Sequence, residues 1–173
     1  MTRKQEILRE TIRAVLFFVL LAITLCTMAT LQPATREIIG VTNSNPGNIR
    51  SHNWHWWRKH GAVGVDPWKH LIFATDEDGM KALRYVLKGY QRKGFRTIER
   101  ITARWVGPSH STAAIRGRNG YMQRLTQETG LLPDDEVDMD DPWTLAVLAH
   151  AIVWAENGAN PYPASLYQRV FGY

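Results

Sequence analysis

One cysteine in 173 residues, Cys26, excludes an intramolecular disulfide. A lipoprotein signal is disfavoured against plain membrane filler, because Leu25 stands where such a signal takes a small residue. Charge of one sign is also scarce. The net +5 includes +2 from Arg3, Lys4, Arg9 and Arg13 against Glu6 and Glu10, which leaves +3 for the rest. That demands no specific nucleic-acid partner, although it suits an anionic polymer such as the bacterial cell wall. No HExxH or comparable ligand set accompanies His52, His55 and His60, so a zinc amidase is disfavoured and neither a metal nor another cofactor is expected. Ser109, His110 and Ser111 have no nucleophile-elbow context. The six carboxylates of residues 134–141 lack the glycine and the closing glutamate of an EF-hand and read as a solvated acidic turn.

What is present begins with an uncharged run over residues 14–31. As a helix it covers roughly 27 Å, just enough for a bilayer core of about 30 Å. The positive residues before it keep a short N-terminus, 1–13, in the cytoplasm and send the remainder across the membrane. A cleaved signal peptide competes with this reading, since small residues follow the run. An apolar stretch longer than the usual signal core favours a retained anchor. The expected organisation is a cytoplasmic 1–13, a transmembrane signal-anchor helix over 14–31, a linker over 32–40 and one folded domain over 41–173. The expected location is the host inner membrane, single pass, with the domain in the periplasm.

Within the domain the patterns predict a mainly α (α+β) fold. Thr42 to Asn48 is too rich in turn residues to be helical. Gly61, Gly64 and Pro67 leave room for at most a short β-hairpin, with Leu71-Ile72-Phe73 as one strand. Met80, Leu83, Val86, Leu87 and Tyr90 recur at helical spacing behind Thr75 and Asp76, which predicts a helix over about 77–92. Thr97 caps a second, with Ile98, Ile101 and Trp105, ended by Gly107-Pro108. Tyr121, Leu125 and Gly130 mark a third. Asp141 and Pro142 open a last apolar helix that closes at Glu156-Asn157-Gly158.

Glu156 is the candidate for chemistry. The negative end of the helix dipole and apolar neighbours such as Trp154 both disfavour its charged form. A carboxylic acid kept neutral near pH 6 to 7 is what a glycosidase uses to protonate a leaving oxygen. The plain alternative is a surface glutamate at a helix end. Asn43, Asn45 and Asn48 offer amides to sugar hydroxyls or N-acetyl groups, and Arg50 offers a guanidinium to a muramic carboxylate. Turn chemistry explains the same asparagines without a ligand. Trp54, Trp56 and Trp57 supply rings that stack on sugars or fill a core, with Trp54 and Trp57 taken as candidate substrate contacts. Asp66, Asp76 and Glu128 are the available second carboxylates.

Asn45-Pro46-Gly47-Asn48-Ile49-Arg50 and Ala151-Ile152-Val153-Trp154-Ala155-Glu156-Asn157-Gly158 together resemble the paired signatures of a family of NPGN-type phage virion or lysis proteins. Phe73 to Gly79 is similar to that family's strand-to-helix step, so the resemblance spans about residues 40–165. The arrangement also resembles the lysozyme superfamily, in which a helix-terminal glutamate faces a polar turn across a sugar cleft; in this chain the turn precedes the glutamate. The resemblance implies a lysozyme-like helical domain behind one N-terminal transmembrane helix. It implies a signal-anchor endolysin that acts on peptidoglycan as muramidase or lytic transglycosylase with Glu156 as acid, or a non-enzymatic virion or membrane protein that binds cell wall or phage partners.

Overall fold

A computed structural model describes residues 38–107 and 111–173. The anticipated span at 14–31 lies outside them. Among the described residues no helix is long and apolar enough to cross a membrane. Residues Glu37–Tyr173 form one compact unit.

The chain is mainly helical with one small antiparallel sheet. In order, the elements are α1 (Ile39–Thr42), α2 (Trp54–Arg58), β1 (Ala62–Val65), β2 (Leu71–Phe73), α3 (Asp76–Arg92), α4 (Ile98–Val106), α5 (Thr112–Thr129), α6 (Pro142–Asn157) and α7 (Ala164–Phe171). The hairpin pairs Ala62 with Phe73 and Val65 with Leu71. Its tight end, Asp66 to Lys69, is closed by Asp66 N–H donating to His70 O and Lys69 N–H to Asp66 O. Lys69 there adopts a left-handed backbone at φ 70°.

Side-chain caps start four of the longer helices. The Thr75 hydroxyl accepts from Asp78 N–H, Thr97 from Arg100, Ser111 from Ala114 and the Asp141 carboxylate from Thr144. Gly130 and Gly158, both left-handed, end α5 and α6. The short helices α1, α2 and α7 carried too little periodic pattern to be foreseen.

Helix α6 is the central element. Leu145, Ala146, Leu148, Ala149, Ala151, Ile152 and Val153 are all buried, as expected of a helix that is apolar on most of its circumference and enclosed by neighbours. α5, α3, α7 and α1 pack around it. α3 contributes Met80, Leu83 and Leu87, each fully buried and each worth about 1.5–3 kcal/mol of apolar transfer. The acidic stretch before α6 is a turn-rich segment with most of its acids exposed, as expected, and Glu136 bridges to Thr97. Val137 and Met139 plug the core while their neighbours face solvent. Val137 N–H bonds Arg96 O, and Asp140 pairs with Lys88 and accepts from Gln91.

Candidate functional site

The early asparagine turn and the end of α6 clasp each other. Asn45 is wholly buried, and its amide donates to Ile49 O and Leu71 O while its oxygen accepts from Ile49 N–H. Pro46 offers its carbonyl to the Asn157 side chain at 2.8 Å. Gly47 lies against Leu83 and the Trp105 ring, where a Cβ would stand 3.1 to 3.4 Å from both. Asn48, held at φ 47°, donates its amide to Glu156 Oε2 at 3.2 Å. The two motifs therefore meet across more than a hundred residues of chain.

Glu156 is half-buried. Trp105 Nε1–H, from the last turn of α4, donates to its Oε1 at 2.7 Å. The Tyr121 hydroxyl is buried close enough to bias the ionisation of the carboxyl, yet no hydrogen bond of good geometry reaches it. Burial raises the Glu156 pKa above the ordinary glutamate value, and the hydrogen bonds from Trp105 and Asn48, with the nearby His70 charge, offset only part of that rise. The position near the negative end of α6 acts in the same direction as burial. Tyr121 is itself pushed well up, first by burial and then by the neighbouring carboxylate.

A cleft of about 240 Å³ is lined by Gly117, Gly120, Tyr121, Arg124, Trp154 and Gly158 among others, and Glu156 is not among its lining residues. Arg124 lies over the Trp154 ring at 4.4 Å. Gly117 and Gly120 leave open space where side chains would stand. Tyr121 is common to the cleft wall and to the surroundings of the carboxyl.

The remaining sequence candidates divide. Asn48 touches Glu156, whereas Asn43 and Asn45 spend their amides inside the fold. Asn43 is buried and donates to Asp66 Oδ2 at 2.9 Å. Arg50 is exposed and reaches only Trp68 O, at 3.5 Å. Trp57 is a core residue set edge-on to Phe73. Trp54 is partly buried against the same core. Trp56 stacks on His60 with ring centroids 3.5 Å apart. Of the possible second carboxylates, Glu128 lies beside Arg124 and His150, Asp76 opens α3, and Asp66 is taken up by His70 and Asn43. Among the described residues no three His, Cys, Asp or Glu side chains converge as a metal site.

Sequence reasoning passed over Trp105 and Tyr121, which it placed on apolar helix faces. The signal was there in principle, since a buried indole N–H or phenol requires a polar partner and Trp105 stands two residues from a helix stop. No family model matches the chain, and no curated protein matches it.

Proposed function

We propose that this chain cleaves the glycan strands of peptidoglycan, with Glu156 as the general acid. In this reading it is a lysozyme-like, phage-type endolysin anchored in the host inner membrane by residues 14–31, with its catalytic domain in the periplasm. One observation carries the reading: a half-buried carboxyl biased toward its protonated form and gripped by Trp105 and Asn48, with Tyr121 shared between its surroundings and the wall of a cleft. A neutral carboxylic acid at a cleft can donate its proton to a glycosidic oxygen, and the fixed donors around it stabilise the anion that remains. The partners of Glu156 include no second carboxylate, which favours a single-acid lytic transglycosylase at least as much as a two-carboxylate hydrolase.

The test is Glu156→Gln in the full chain. Clearing of purified peptidoglycan is expected to fall about 10²–10⁴-fold, the usual contribution of a general acid, with circular dichroism unchanged. Undiminished clearing by that variant rules out the assignment. Mass spectrometry of the products separates the mechanisms, because an anhydro-muramic end marks a transglycosylase and a reducing end a hydrolase.

A second reading, a cell-wall or virion binding module without activity, draws on the exposed Trp68 and Trp143, whose rings are free to stack on a saccharide. Saccharide binding with no product formed would favour it.

A further inference from the structure

A general acid that protonates the leaving oxygen needs a companion that takes the proton of the attacking one. Among the described residues the side-chain hydrogen-bond partners of Glu156 include no acid to do this. The end of the β-hairpin holds a different arrangement. Asp66 is buried, and its carboxylate is saturated by four donors. Oδ1 accepts from Trp68 N–H at 2.9 Å and His70 N–H at 2.7 Å. Oδ2 accepts from the Asn43 amide at 2.9 Å and faces His70 Nδ1 at 3.0 Å.

Burial works against the charge on Asp66, yet these hydrogen bonds outweigh it and hold its pKa below the ordinary value. An ionised carboxylate only accepts, so Nδ1 of His70 must carry the ring proton. Nε2 is then left bare as an acceptor. The His70 side chain keeps 17 % of its surface exposed, so the ring is fixed and still open to solvent.

Topology puts this hairpin end next to the segment that holds the acid. His70 bridges antiparallel to Arg50, two residues beyond the Asn48 that grips Glu156. A charge on His70 is also felt at Glu156. Asp66 is in contact with His70, and the charged groups on the adjoining segments are Arg50 on the bridged segment and Glu156 held by Asn48.

We propose that His70, oriented by Asp66, is the second proton-handling group of the Glu156 site. This rests on the glycan-cleavage reading. As the bond from C1 to the leaving oxygen breaks, Glu156 gives that oxygen its proton. The attacking oxygen, from water or from a hydroxyl of the sugar itself, bonds C1 and releases its proton to His70 Nε2. The step ends with a glutamate anion and an imidazolium, and return of the proton from His70 to Glu156 through solvent resets the pair. Asp66 touches no reacting atom and is a positioning residue. Asn43, read from sequence as a sugar ligand, supports Asp66 from behind.

The pH profile of peptidoglycan clearing by the full chain is the first readout. His70→Gln is expected to lower the rate about 10²–10⁴-fold and to remove the rising, acid limb. Asp66→Asn keeps the imidazole but removes the charge beside it. Clearing is then expected to fall, by less than in His70→Gln.

The second readout needs no turnover. In NMR spectra of full chain carrying isotope-labelled histidine, neutral His70 is expected as the tautomer protonated at Nδ1 with Nε2 bare, and Asp66→Asn is expected to weaken that preference. Wild-type clearing combined with an unchanged profile in His70→Gln overturns the role of His70 and leaves Glu156 as acid. A neutral His70 ring protonated at Nε2 rather than Nδ1 overturns it as well, even where His70→Gln fails to fold. Absence of any wild-type clearing defeats the glycan-cleavage reading itself.

Discussion

At the scale of single residues, the site depends on opposed influences on one carboxyl. Burial keeps the Glu156 proton on, while Trp105 and Asn48 hold the charged form in place. An acid must be protonated to act, so the rate should fall as pH rises through the Glu156 pKa. Trp105→Phe deletes the donor at 2.7 Å and keeps a ring against Gly47. The Glu156 pKa should then rise further, and the falling limb of the pH–rate profile should move to higher pH. A limb that stays in place or moves down would show that the indole does not govern the acid. Asn45 answers to a different measurement. Asn45→Ala strands the buried Ile49 N–H, at a cost of about 1–3 kcal/mol. Urea unfolding should register that loss, whereas a ligand-only role for Asn45 would leave stability unchanged.

At the scale of elements, the junction between the asparagine turn and α3 is set by a glycine. A Cβ on Gly79 would stand 1.8 Å from the Ser44 carbonyl oxygen and 2.8 Å from Pro46 Cδ. Backbone against backbone cannot yield cheaply. Gly89, in the same helix, meets nothing nearer than the far end of Arg92 at 3.7 Å. Glycine to alanine inside a helix ordinarily stabilises by about 0.5–1 kcal/mol. The two positions should therefore respond with opposite sign in thermal unfolding: Gly89→Ala stabilises by up to about 1 kcal/mol, and Gly79→Ala destabilises by more than that and loosens the turn that carries Asn48. Equal responses would mean that the turn does not lean on α3.

The same elements mark how far the sequence could be read. The strand Leu71–Phe73 and the helices over 76–92, 98–106 and 142–157 were legible because caps, apolar spacing and glycine stops agree over a dozen residues. Glu156 and Asn48 could be named from motif and helix end. What a ladder of local signals cannot supply is which side of a turn faces inward. Asn43, Asn45 and Trp57 therefore read as ligand contacts although their side chains point into the fold. Asp66 and His70 went unremarked as a pair because their roles arise from a hairpin register that spacing does not specify.

At the scale of the whole molecule, pH links the site to the stability of the fold. Asp66, Asp140 and Asp141 have pKa values below the ordinary carboxylate range: His70 and Asn43 overcome the burial of Asp66, Lys88 and Gln91 act on Asp140, and Thr144 acts on Asp141. They stabilise the native state above that range, and the stabilisation disappears as pH falls through their folded values. Glu156 has the opposite sign. Its pKa is raised in the fold, so its contribution is complete below the unfolded glutamate pKa and is lost as pH rises through the folded value. Glu156→Gln removes only this second dependence. Unfolding free energies from urea titrations across a pH series should show the variant gaining on the wild type as pH climbs through that interval, with a constant difference on either side. A difference that does not change with pH would mean that the folded protein binds the Glu156 proton no more tightly than the unfolded chain does. The acid chemistry proposed for it would then have no physical basis. A fold that pays stability at neutral pH to keep one carboxyl between Trp105 and Asn48 is organised around that carboxyl, and the slope of the difference measures how strongly.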